Sequence, residues 1–219
     1  MSRKMIAGLV ALVALVAFSA IPAMAAASPE LQTSGGTKVA VGTEIKGTSG
    51  NLIFTTAKGN LECKESVLTG SVTENTGTHI QGTIGKATFT AVGGGKCATT
   101  IPGVTTEITP ENLPWCLTSV GATGSDEWTL NGGNCTTSKP VAFEAHIFFL
   151  GAKITTCTFE RAEVTGTYNT NASPLKLKVG AGQAFNYVSG NKEFCAEGGG
   201  TLTGEFTLKT AAGGELKIV

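Results

Sequence analysis

Apolar and polar positions alternate through most of the chain from residue 37 onward, with the period of strands rather than helices. In residues 66–73, Leu68, Gly70 and Val72 share one face, and Thr69, Ser71 and Thr73 the other. Leu175, Leu177 and Val179 alternate with Lys176 and Lys178. Leu202, Gly204, Phe206 and Leu208 alternate with Thr203, Glu205, Thr207 and Lys209. Val39, Val41 and Ile45, the run Leu52-Ile53-Phe54, and residues 80–91 with Ile84 and Phe89 continue the pattern. Residues 105–108, 113–120 and 127–130 carry it less regularly. Residues 141–150 are the most apolar and predict a central strand buried on both faces. Roughly a dozen short strands at this spacing predict an all-β fold, either an antiparallel β-sandwich or a flattened β-barrel. One domain over residues 37–219 is expected, because no linker divides it; the alternative is two smaller sandwich-like halves meeting near residues 135–140.

The N-terminus has a different pattern. Arg3 and Lys4 precede an apolar run over residues 5–21, broken only by Gly8 and Ser19, and Pro22 and Ala23-Met24-Ala25 follow. A positive start, an apolar middle and a small-x-small ending predict a secretory signal-peptide helix over residues 1–25, cleaved near Ala25. The run is short for a bilayer, which takes about 20 residues, so no stable membrane span is expected after cleavage. Residues 26–36 are small and polar and read as a flexible leader. The expected location is extracellular.

Composition supports a folded β-protein. Thr is the commonest residue, ahead of 30 Gly, and charged residues are only 15%. Low charge with 41% apolar residues is the opposite of a disordered composition. Formal net charge is zero, and loss of Arg3 and Lys4 leaves the remainder slightly acidic. Nucleic acid is therefore not an expected partner, since it calls for a basic face. Arg161 would be the only arginine left, so bidentate recognition of phosphate or carboxylate is thinly supplied.

All six cysteines, Cys63, Cys97, Cys116, Cys135, Cys157 and Cys195, follow the signal segment. An even number in an exported chain predicts disulfides. None forms a C-x-x-C pair, which argues against a redox motif or a zinc knuckle. Six cysteines allow 15 connectivities. Locality favours pairing in chain order, each bridge closing one or two hairpin-sized units.

A short motif recurs after three of the cysteines: Leu68-Thr69-Gly70-Ser71-Val72, Val164-Thr165-Gly166-Thr167-Tyr168 and Leu202-Thr203-Gly204-Glu205-Phe206. Each is an apolar residue, Thr, Gly, any residue and an apolar residue, so the three glycines are expected at equivalent inward-facing strand positions. With the signal segment and these cysteines, the arrangement resembles small secreted Thr/Gly-rich β-proteins of actinobacteria. The resemblance covers most of the chain after the signal segment. It implies a bacterial extracellular location and a β-fold, and no activity.

No catalytic constellation is legible. His146 lies two residues from Glu144, on one strand face, but two ligands are too few for a typical protein zinc site. A sheet-face histidine beside a carboxylate is the plainer reading, and His79 sits among Thr and Gly. Asp126 is the only aspartate, and there is no G-x-S-x-G elbow. Gly82 to Lys86 is too short for a phosphate loop, and Gly180-Ala181-Gly182 lacks the third glycine of a dinucleotide fingerprint. No cofactor or metal is expected. Trp115 and Trp128 are the candidate ligand-binding residues, as exposed aromatics that could stack on sugar or anchor a partner; the competing reading packs both in the core.

These observations predict a non-enzymatic extracellular protein of the cell surface or matrix, in the class of ligand-binding modules, with a cell-surface or carbohydrate partner as its candidate class. The competing prediction is a secreted hydrolase acting on carbohydrate through paired glutamates, drawn from the 15 present.

Overall fold

Strand alternation is realised most simply on Lys176–Val179 and Glu205–Thr210, where Leu177, Val179, Phe206 and Leu208 are buried and Lys176, Lys178, Glu205 and Lys209 are exposed. This computed structural model describes residues 29–120 and 126–219. The expected signal peptide, residues 1–25, and its cleavage site lie outside the described residues.

Strand β1 (Leu31–Thr33) pairs with β18 (Leu216–Ile218), and the other strands join end to end into eight legs. The first leg is β2 (Glu44–Ser49) with β3 (Leu52–Thr56), and the second is β4 (Gly59–Cys63) with β5 (Glu65–Asn75). The third is β6 (Ile80–Thr90) with β7 (Cys97–Thr99), and the fourth β8 (Val104–Glu111) with β9 (Trp115–Val120). Then come β10 (Glu127–Asn131) with β11 (Val141–Phe149), and β12 (Ala152–Arg161) with β13 (Val164–Thr167). The last two are β14 (Lys176–Val179) with β15 (Gln183–Ser189), and β16 (Gly200–Thr203) with β17 (Glu205–Thr210).

Consecutive legs pair antiparallel, and the eighth returns to the first. The result is two closed rings of eight strands. The first holds β2, β5, β6, β9, β10, β13, β14 and β17, and the second β3, β4, β7, β8, β11, β12, β15 and β16. Closure removes the sheet edges that would template aggregation. Of the expected architectures the structure is thus a barrel. Two halves divided near residues 135–140 are not found, because every leg contributes a strand to both rings. One hydrophobic cluster spans the rings.

The legs are interrupted because inward-facing parity changes between the rings. On β2 the inward residues are Ile45 and Gly47, on β3 they are Leu52 and Phe54, and Gly50-Asn51 makes the shift. Lys64 does the same between Leu61 and Cys63 on β4 and Leu68, Gly70 and Val72 on β5. A one-residue slip moves every side chain to the other face, so each interruption keeps apolar residues inward in both rings.

Residues 26–36 need a correction. The described part of this expected leader includes β1, whose Leu31 is buried. With Val39, Leu216 and Ile218 it plugs the open end of the first ring. Buried Asn75 fixes the plug: its Oδ1 accepts from the Leu31 N–H, and its Nδ2 donates to the Leu31 and Val39 carbonyls. Burial and three satisfied hydrogen bonds order a segment whose composition alone suggested freedom.

Strand β11 also differs from expectation. It is not buried on both faces, since Glu144, His146 and Phe148 point outward and Phe149 and Leu150 are exposed. Val41, expected in a strand, lies outside one and is exposed.

The disulfides join Cys63 to Cys97, Cys116 to Cys135 and Cys157 to Cys195. The first ties β4 to β7, and the third ties β12 to the 190–199 loop. The second pins the 132–140 excursion, between β10 and β11, to the outer face of β9.

Candidate functional site

The two rings are filled differently. In the second, Phe54, Phe143, Phe159 and Phe185 pack edge-on or tilted, with ring centroids 5.1–6.0 Å apart. That is the favoured separation and geometry for aromatic pairs, and it closes the lumen there. The first ring is lined chiefly by aliphatic residues and glycine. Between the plug and the phenylalanine cluster lies a cavity of about 170 Å³. An eight-stranded barrel has an interior just wide enough to be filled by side chains or to hold one small ligand. Gly47, Gly70 and Gly82, on the adjacent strands β2, β5 and β6, all line the cavity. Neighbouring atoms crowd the Cβ position of each, so these positions take no side chain: Leu208 at Gly47, the Thr83 carbonyl at Gly70 and the Ser71 carbonyl at Gly82.

Gly70 and Gly166 both occupy inward positions of the first ring, but for different local reasons. At Gly70 a bulge in the β5–β6 pairing brings the Thr83 carbonyl where a Cβ would sit. Gly166 pairs directly with Trp128, and the indole covers it, leaving no room for a Cβ. Gly204 is not their equivalent. It lies at the junction between β16 and β17, against Leu52, and not within a strand.

Trp115 and Trp128 are each only 4% exposed, so they form no external platform. Their indoles face the lumen and line the cavity. The Trp115 Nε1–H donates to the Glu111 carbonyl at 2.8 Å, and the Trp128 Nε1–H to the Thr167 carbonyl at 3.2 Å. With its polar edge satisfied by backbone, each ring offers the lumen its apolar face.

The lumen has one polar pair of side chains that sequence reasoning missed. The Ser119 hydroxyl donates to the Tyr168 hydroxyl at 2.8 Å, and both residues are buried and line the cavity. Burial raises the Tyr168 pKa above its ordinary value, partly opposed by the Ser119 hydrogen bond, with Asp126 adding to the rise. The phenol therefore stays neutral through the physiological range and can donate or accept. Tyr168 occupies the last apolar position of the second motif copy, but nothing in the sequence joins it to Ser119, 49 residues earlier.

No family model, no curated protein and no solved structure matches this chain. The functional reading therefore rests on its own geometry.

The other candidates are dispersed over the outside. His146 hydrogen-bonds Thr109 at 3.1 Å and Thr156 at 2.9 Å and lies 3.7 Å from Glu144. His79 pairs with Glu74 at 2.7 Å at a turn. Gly82 to Lys86 runs within β6, and Gly180-Ala181-Gly182 is the joint between β14 and β15. Among the described residues no cluster of three or more His, Cys, Asp or Glu could hold a metal ion. Neither of the two cavities described is lined by an Asp or a Glu.

Proposed function

We propose that this chain is a secreted, non-enzymatic binding protein whose first ring takes one small, largely apolar molecule. The observation that carries the reading is the apolar cavity inside the first ring, between the plug and the phenylalanine cluster. Cavities of about 150 Å³ lined by aliphatic and aromatic side chains stay dry and admit benzene or xenon. The cavity here matches that size and character. Trp115 and Trp128 would supply apolar surface to the ligand, and the Tyr168–Ser119 pair would orient a single hydroxyl or carbonyl at one end. A few well-placed polar groups in an apolar pocket are the usual means of fixing orientation.

Three disulfides are compatible with an extracellular location. No helix among the described residues is long and apolar enough to cross a membrane. The barrel itself has the reverse of an outer-membrane pattern. Such barrels are apolar outside and polar within, whereas here Lys46, Lys176, Lys178, Glu205 and Lys209 face out and the lumen is apolar. A glycosidase would need two carboxylates facing across a cleft, and the lining of neither cavity supplies one.

Toluene provides the test. A saturating concentration should raise the melting temperature of the disulfide-bonded protein, because a ligand at 100 times its Kd adds about 2.7 kcal/mol to stability. Leu117→Phe extends a side chain into the cavity from β9 and should abolish the shift. An unchanged melting temperature in wild type, or the same shift in both proteins, would refute the lumen as the binding site.

A further inference from the structure

The far end of the second ring is apolar and exposed. Four connections meet there: residues 57–58, 100–103, 150–151 and 190–199. The Leu150 N–H donates to the Gly103 carbonyl at 2.9 Å, Ile101 packs over Gly59, and Phe194 lines a small cavity with Ile101 and Lys58. Ile101, Phe149, Leu150 and Phe194 are all substantially exposed on this end, Leu150 at 79%.

Leu150 is exceptional in its backbone as well. Phe149 pairs with Ala152, so Leu150-Gly151 is a two-residue hairpin turn, and its φ values are +49° and +87°. Positive φ at both positions is the mirror-image turn in which Asn-Gly or Asp-Gly is favoured. A bulky residue there is a true outlier, and burial does not compensate it. Residues kept in such conformations cluster at functional positions.

Lysines surround this apolar tip. Lys96 stands 4.2 Å over the Phe148 ring, and Lys153 is the cross-strand partner of Phe148, so a positive charge lies on each side just below Phe149. Lys58 is exposed on the neighbouring turn, and among the described residues Lys58, Lys96 and Lys153 take part in no ion pair. Lys192 pairs with Glu197 at 2.6 Å, and Glu193 lies on the same loop. Lys58, Lys96 and Lys153 thus stand near the exposed apolar residues without an ion-pair partner among the described residues, whereas Glu62, beside Ala98, pairs with Lys64, and Glu107 lies on β8 level with Lys96.

We propose that this tip docks on the surface of an anionic lipid bilayer, with Leu150 and Phe149 entering the interface and Lys58, Lys96 and Lys153 meeting lipid headgroups. Interfacial binding combines buried apolar area with attraction to anionic lipid. Each lysine near such a surface adds to it and is weakened by salt. The inference is independent of the lumen reading, since it concerns the opposite end of the barrel from the plug and other residues.

Vesicle flotation tests it. The protein should float with vesicles of equal parts phosphatidylcholine and phosphatidylglycerol, not with phosphatidylcholine alone, and high salt should release it. Leu150→Asn is the decisive variant: asparagine suits the positive φ, so its melting temperature should equal or exceed wild type. Its partitioning should nevertheless fall on the order of tenfold, through loss of one buried leucine. Lys96→Glu with Lys153→Glu should weaken flotation while leaving the fold intact. Three results would overturn the proposal: no flotation of wild type with anionic vesicles, equal flotation of Leu150→Asn, or a wild-type dimer that Leu150→Asn converts to monomer. The last would make the tip a surface for a second copy.

Discussion

Gly166→Val is expected to lower the unfolding free energy by about 3 kcal/mol, at the upper end of overpacking costs. Gly166 sits opposite Trp128 in the β10–β13 pairing and is buried. A Cβ at this position would strike both the Trp128 ring and the Lys178 carbonyl. The carbonyl belongs to the ladder between β13 and β14 and cannot retreat without breaking it. The indole cannot retreat without losing its hydrogen bond to Thr167, so relaxation on either side has its own cost. Thr167→Val, one residue on and exposed, should change stability by no more than about 0.5 kcal/mol. Urea denaturation of the two variants with disulfides intact checks the contrast. Equal midpoints would remove Gly166 from the lumen wall.

Replacing both Cys157 and Cys195 by alanine should cost about 4 kcal/mol. The bridge closes a separation of 38 residues, the longest of the three, and in the chain-entropy model such a loop restricts the unfolded state by that amount. For a domain whose whole stability is typically about 5–15 kcal/mol the loss is severe. The effect should also be local, because Cys195 holds the 190–199 loop against β12, and that loop supplies Phe194 to the tip. Amide exchange of the double variant should therefore rise in residues 190–199 before it rises in the first ring. Uniform exchange throughout, or a midpoint matching wild type, would contradict this assignment of the bridge.

Much of the barrel wall is written in local alternation. Leu68, Gly70 and Val72, or Leu177 and Val179, face the core as a period of two requires, and chain-order pairing follows from loops of hairpin size. The number and length of the strands were harder to read. An eight-legged barrel looks like many short strands because Gly50-Asn51 and Lys64 each reset the parity, and no local signal says that the next strand continues the same leg. Closure is equally hidden, because it depends on β2 and β3 meeting β17 and β16 across most of the sequence.

The site was legible only in fragments. Trp115 and Trp128 drew notice as aromatics, but whether they face in or out depends on register, and the structure turns both inward. Gly47, Gly70 and Gly82 come to line one cavity only because closure places their strands side by side. Gly204 misled through composition: a Thr-Gly pair in a Thr/Gly-rich chain marks a strand interior at Gly70 and Gly166 and a joint at Gly204. The plug was missed because small, polar residues 26–36 conceal Leu31, whose partners are Asn75 and the last strand.

Crystals pressurised with xenon report directly on the lumen of the first ring. Xenon prefers dry, apolar cavities of this size, and it needs no knowledge of the natural ligand. A xenon peak is expected inside the first ring, bounded by Leu68, Val72, Leu117 and Trp128, and should disappear in Leu117→Phe. A first ring holding no xenon, or filled by ordered water hydrogen-bonded along the lumen, would contradict that expectation.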